Sequence, residues 1–295
     1  DIVLINKSNN SAKRIKDPSQ LRDIFQVLGS NLNPVLTQIA KSKRVLFVEG
    51  KDFIVFSKFA RILGFDQVAN RGDFAVVPIE GFNPTKLRAF KEGIEKTIGM
   101  KVLSAVIFDR DFRSESEIED EIIDLQKGNF FAHIHSRKEI ENFLLLLDPI
   151  ERAIKMRLNE KNNRTNKNDI IDKSTNDILD VVSSDFKYKT QAQLQSHRLK
   201  YEKAKNPRID ESTIIEKILC EFESEWNNLN NRLLILPGKD FLSSLNQYLQ
   251  ENYKITITNS NIISSTRKEE VPKEIVKLIN DIEQFRNEKV VKNMA

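Results

Sequence analysis

Three carboxylates stand where apolar runs of the sequence stop. Glu49 closes RVLFV at 44–48, and Asp109 and Asp111 follow VLSAVIF at 102–108. Runs that are apolar almost throughout read as strands buried on both faces, and in an open parallel sheet the reacting groups gather beyond the carboxyl ends of the strands. Residues two apart in an extended segment point the same way, so Asp109 and Asp111 can both face one site. Gathering like charges costs free energy unless a cation offsets them. Magnesium favours octahedral oxygen coordination by carboxylates and retained waters, which makes a magnesium site the economical reading. The plainer alternative is that each acid is merely solvated or caps a helix.

Positioning these groups needs a framework, and the chain between Lys43 and Pro149 supplies the pattern of one. Strand-like runs at 44–48, 74–79, 102–108 and 130–135 alternate with helical stretches at about 51–63, 84–98 and 137–147. That alternation predicts an α/β fold with a parallel sheet flanked by helices. RLLILPGKD at 232–240 has the same strand-then-loop form and predicts one more strand. The intervening segment, about 150–230, is polar and helical and reads as an insertion. In it, TIIEKILCEFESEW from Thr213 carries a one-faced apolar pattern, with Thr213 and Glu216 spaced as a capping box. The part from about 240 to 290 is mainly helical. The chain opens on Asp1 in a strand-like DIVLI, so a piece of a longer protein is expected.

Bulk composition narrows the classes. The formal net charge of +4, from 47 Lys and Arg against 43 Asp and Glu, permits a polyanionic partner without requiring one. A single cysteine, Cys220, cannot form an intrachain disulfide, and no Cys/His cluster has zinc spacing. No apolar stretch reaches the roughly 18 residues of a membrane span and no signal-peptide core is present, so a cytoplasmic location is expected.

VLFVEGKD followed two strand units later by AVIFDRD resembles the topoisomerase–primase (Toprim) domain over residues 43–145. RKEIENFLL at 137–145 and LPGKDFL at 236–242 narrow the resemblance to the Toprim nucleases of the OLD (overcoming lysogenization defect) family. The resemblance implies a Rossmann-like Toprim core at 43–149, a helical insertion at 150–230, and a last Toprim strand with further helices at 231–295. Residues 1–42, with LRDIFQVLG, look like the tail of an ATPase domain. The implied activity is DNA endonucleolysis with Mg²⁺ or Mn²⁺, one or two ions, in an anti-phage protein that couples to an ATPase domain or subunit; homo-oligomerisation stays open. Glu49, Asp109 and Asp111 match the metal-binding motif, Glu141 or else Glu139 the later acid, and Lys239 the late lysine that assists cleavage.

Many of these nucleases place an acid four residues after the glutamate, where this chain has Phe53. Phe53, Phe56, Ala60 and Leu63 form a helical apolar stripe, so Phe53 is expected in the core. Asp52 is then left to bind the second metal or simply to favour the helix dipole. With two metals about 3.5–4 Å apart, one set of ligands orients the attacking water and the other neutralises the leaving oxygen. In that scheme Glu49, Asp109 and Asp111 hold the first ion, Asp52 and Glu141 the second, and Lys239 opposes charge on the phosphoryl oxygens.

KYKTQAQLQSHRLKYEKAKNPR at 187–208 is rich in Lys and Arg with Tyr188 and Tyr201 interspersed. It reads either as a nucleic-acid groove or as a solvated helical face. The acidic SESEIEDEIID at 114–124 is expected to face away from DNA. Asn83 reads as a cap for the helix near Pro84 or as a contact of the active site, with capping the preferred reading; His133 and His135 share one side of a strand and could suggest metal binding, but a lone H-x-H is a weak signal and favours a structural role, and Cys220 reads as core. Two other readings remain. AVIFDRDF also resembles the strand-end D-x-D of haloacid-dehalogenase phosphatases, with Asp109 as nucleophile, although Phe112 and Arg113 replace the expected threonine and Glu49 is unexplained. A non-catalytic binding or regulatory module is the other.

Overall fold

The computed structural model describes residues 2–6, 11–15, 34–79, 81 and 84–288. These divide into two compact units, one drawn from 1–108, 124–133 and 276–295, the other from 109–123 and 134–275.

The first unit is built on a four-stranded parallel sheet flanked by helices. β1 (Ile2–Asn6) and β2 (Ser11–Ile15) form a separate antiparallel pair, and after α1 (Pro34–Ser42) the sheet takes up β3 (Arg44–Glu49), β4 (Ala75–Ile79), β5 (Leu103–Phe108) and β6 (Phe131–Ile134) in the order β4-β3-β5-β6. β3 is central: it runs parallel to β4 from Val45↔Ala75 to Glu49↔Ile79 and to β5 from Arg44↔Leu103 to Val48↔Ile107. Val45, Leu46, Phe47 and Val48 are all buried, which is why the strand reads as an unbroken apolar run. α2 (Phe53–Leu63), the short α3 (Asp66–Ala69) and α4 (Pro84–Ile98) supply the crossovers. α2 stops at Gly64, whose φ of 89° provides the left-handed cap that a side chain would resist. α13 (Lys273–Asn287) joins this unit from Val276 onward. Phe285 packs against Phe74, Phe130 and Phe131, and Arg44 Nε donates to its carbonyl.

The second unit is helical. α5 (Glu115–Gln126) begins in it, and α6 (Leu147–Thr165), α7 (Thr175–Ser184), α8 (Lys187–Lys205), α9 (Glu211–Trp226), α10 (Leu229–Ile235), α11 (Gly238–Tyr253) and α12 (Asn259–Ser264) make up most of the rest. The helical insertion expected at 150–230 falls inside it. Among the described residues no helix is long and apolar enough to cross a membrane.

Four sequence expectations are corrected here. The strand predicted in RLLILPGKD is helix α10, capped by Asn228, whose side chain accepts the N–H groups of Asn230 and Asn231. So short an apolar run has no periodicity that separates strand from helix. The helix predicted at 137–147 is a single 3₁₀ turn, Ile140–Leu144, followed by α6. The cap of α9 is Asp210, which accepts the Thr213 N–H at 2.9 Å, in place of a Thr213–Glu216 box. Cys220 is exposed, because α9 buries Ile214, Ile218, Phe222 and Trp226 on a stripe that passes beside it.

Candidate active site

Glu49, half-buried, is the last residue of β3. The chain leaves the strand through Gly50, whose φ of 51° favours glycine and whose N–H donates to Ile79 O at 3.2 Å. Asp52 N–H returns to Glu49 O at 3.2 Å, so the two acids share one tight turn. Asp52 is buried at the N-cap of α2 without making a capping bond, where the helix dipole favours its charge. Phe53 is 2% exposed and packs edge-on against Phe56 and Phe74, as the stripe predicted.

β5 ends at Phe108, and the DRD segment is not extended. Asp111 has a φ of 52°, so the alternation argument that put both aspartates on one side is replaced by a turn. That turn is tied to residues 136–140. Asp109 Oδ1 accepts the Ile140 N–H at 3.0 Å, Asp111 N–H donates to Lys138 O at 2.8 Å, and Arg110 Nη1 donates to Ser136 O at 3.1 Å. Arg113, buried, donates through Nη1 to Asp109 O and Arg110 O, and pairs with Asp111 Oδ2 at 3.2 Å and Glu121 Oε2 at 2.8 Å.

Burial pushes the Glu121 carboxyl up to about 7 against the pull of Arg113, with Glu117 adding to the rise. Its folded value therefore exceeds the ordinary 4.5. The group is neutral in both states below that value, and it costs stability increasingly as pH climbs toward 7. Glu121→Gln should flatten the decline in urea-unfolding stability between pH 4.5 and 7; an undiminished decline would remove Glu121 as its source.

The remaining candidates converge through the 3₁₀ turn. Glu139 sits at its N-cap, pairs with Lys138 at 2.7 Å, and its Oε1 accepts the Lys239 backbone N–H at 2.5 Å in the first turn of α11. Burial holds the half-buried Glu141 carboxyl above its usual range; its own backbone N–H opposes this, Glu139 adds to it, and Lys239 and Lys138 pull the other way. Glu139, Glu141 and Lys239 are thus neighbours although a hundred positions separate Glu139 from Lys239.

What aligns them is Asn142, fully buried, which sequence reading passed over. Its Nδ2 donates to Leu233 O at 2.8 Å and Leu236 O at 2.9 Å, while Oδ1 accepts the Glu139 N–H at 3.0 Å. An asparagine inside the apolar run IENFLL was the available signal, since a buried amide needs specific partners. Arg110 and Arg113, flanking Asp111, were likewise missed.

The basic stretch at 187–208 forms α8, and most of its cations face acids of the same unit. Lys187 pairs with Glu223, Lys189 with Asp240, Arg198 with Glu221, Lys203 with Glu211, and Lys205 with Asp120. The acidic stretch 114–124 does not stand apart from it: Glu117 contacts His197 and Asp120 accepts from Tyr201. Exposed pairs of this kind are weak, yet they cancel the positive stripe that the sequence suggested. His135, fully buried, lies 3.5 Å from Glu274 and edge-on to Phe143. Asn83 lies outside the described residues.

Each candidate donor is a carboxylate oxygen, the ligand type that suits a hard divalent cation such as Mg²⁺ or Mn²⁺. Asp52 and Glu141, each taken singly, are shielded carboxyls whose negative charge a bound cation would compensate. Comparison with protein-family models, with curated proteins and with solved structures finds no match.

Proposed function

We propose that this chain is a divalent-metal-dependent DNA endonuclease that hydrolyses phosphodiester bonds by nicking or by cutting both strands. One observation carries the reading: β3 ends on Glu49, Asp109 follows directly on β5, and these two strands are adjacent and parallel. Glu49, Asp109 and Asp111 would hold one Mg²⁺ or Mn²⁺, and Asp52 with Glu141, or with Glu139 in its place, a second. Such ions, when bound, lower the pKa of a coordinated water and neutralise charge on the leaving oxygen.

The chain's own groups prepare that environment. Asp109 keeps its carboxylate oriented through the Ile140 N–H, and Glu139 fixes the backbone of Lys239. The Lys239 ammonium opposes the charge that builds on the phosphoryl oxygens. Motif resemblance supports the wider reading, a Toprim nuclease of the OLD type that works with an ATPase domain or subunit in cytoplasmic anti-phage defence.

The test is nicking of supercoiled plasmid by the purified chain with Mg²⁺ or Mn²⁺, beside Asp109→Ala. Nicking that depends on metal and vanishes in the variant is expected. Equal behaviour of the two proteins overturns the reading.

A further inference from the structure

Next to Asp111, within the second unit, lies a cavity of about 240 Å³ whose polar lining includes four cations, Arg110, Arg113, Lys138 and Arg198. Cations are seldom this well shielded: their side chains are 16%, 7%, 10% and 15% exposed respectively. The acids that pair with two of them lie further out, Glu115 being 76% and Glu221 47% exposed. Solvent screens those carboxylates more than it screens the guanidinium groups inside, although Asp111, Glu115 and Glu225 line the same wall and the less exposed Glu121 and Glu139 pair with Arg113 and Lys138. Burial holds the Arg198 guanidinium below its ordinary value; Glu221 pulls it back up, and the like charge of Arg110 lowers it further. An anion between the two arginines would relieve that repulsion.

Donors are available for it. Arg198 uses Nε on Phe112 O and Nη1 on Glu221, which leaves Nη2 without a partner among the described residues. A guanidinium fork matches phosphate oxygens in geometry as well as charge. The rest of the wall is apolar, with Phe112, Leu194, Leu234 and Ile235. The volume is below the roughly 300–1,000 Å³ of pockets that enclose a drug-sized ligand. A space this small admits one phosphate with its sugar, not a continuous strand.

We infer that this cavity binds the phosphomonoester of a nucleotide, presented as the 5′-phosphate at the end of a DNA strand, with Arg198, Arg110 and Lys138 as its donors. The DNA source rests on the endonuclease reading above; the phosphate pocket rests on the second unit alone.

The test is read without divalent metal. Fluorescence anisotropy of the full chain compares a 3′-labelled single-stranded oligonucleotide bearing a 5′-phosphate with the same strand bearing a 5′-hydroxyl. About tenfold tighter binding of the phosphorylated strand is expected, corresponding to about 1.4 kcal/mol. Arg198→Gln should erase the difference and Arg198→Lys should keep part of it. dAMP should displace the phosphorylated strand at lower concentration than inorganic phosphate does. Equal affinity of the two strands for the unmodified chain overturns the inference even if the variants fail to fold. An undiminished preference in a folded Arg198→Gln overturns it too, and inorganic phosphate competing as well as dAMP removes the nucleotide from it. Phosphate preference without plasmid nicking sinks the nuclease reading alone, whereas nicking without phosphate preference sinks only the pocket.

Discussion

Asp109→Asn should lower metal-dependent nicking by more than about 100-fold, beyond the 10–100-fold usual when only a group behind a metal ligand is changed, while leaving the unfolding temperature almost untouched. The two effects separate because Asp109, the proposed metal ligand, also makes a hydrogen bond. Its Oδ1 accepts the Ile140 N–H at 3.0 Å, and an asparagine carbonyl oxygen can accept the same bond. The negative charge is lost. Asp109→Ala removes both, and the missing hydrogen bond should cost a further ~1 kcal/mol of stability. Calorimetry beside the plasmid assay distinguishes the cases. If Asp109→Asn nicks as well as the unmodified chain, the aspartate is there to hold the loop and the metal reading of it is finished.

The second large effect is on stability. Asn142→Ala would leave the Leu233 and Leu236 carbonyls and the Glu139 N–H without the amide that joins them. Each buried polar group so abandoned costs about 1–3 kcal/mol, and with partial relaxation the total should come to about 3–5 kcal/mol. Gly238 guards the same contact from the other side. A Cβ there would stand 3.0 Å from Asn142 N and Oδ1 and 3.1 Å from Cγ, so Gly238→Ala should cost about 1–3 kcal/mol by overpacking. Both variants strain one junction, and the double variant should lose less than the sum of the two. Urea midpoints measure all three. Strict additivity would mean that the asparagine and the glycine act independently. Because that junction carries Glu139, Glu141 and Lys239, nicking should fall in both variants even under conditions where they are folded.

Much of the sheet could be read from sequence because parallel strands covered on both faces leave a plain signature. β3 and β5 are apolar runs with buried interiors, and α2 announced its inward face through Phe53, Phe56, Ala60 and Leu63. The errors arose where a partner remote in sequence decides the outcome. LLIL at 233–236 became the end of a helix once Asn228 capped it and Asn142 took two of its carbonyls. The left-handed Asp111 was hidden because nothing within DRD reveals that its N–H belongs to Lys138 O. The basic run at 187–208 looked unbalanced only because acids such as Asp120, Glu221 and Glu223 are distant along the chain. Of the candidate residues, Glu49 and Asp52 could be placed by local pattern. The meeting of Glu139 with Lys239 could not.

The packing of Phe285 has a bearing on how the molecule is made. Arg44 in β3 bonds to the Phe285 carbonyl across 241 positions, and Phe285 fills the space among Phe74, Phe130 and Phe131. Contacts so far apart along the chain are slow to form, because a long loop must close before they return any energy. During synthesis the strands emerge early, while the helix that seals their aromatic cluster emerges only after residues 134–275 have been made. The helical unit can therefore fold on leaving the ribosome, while the sheet waits with part of its aromatic surface uncovered. That interval is when this chain would most need a chaperone.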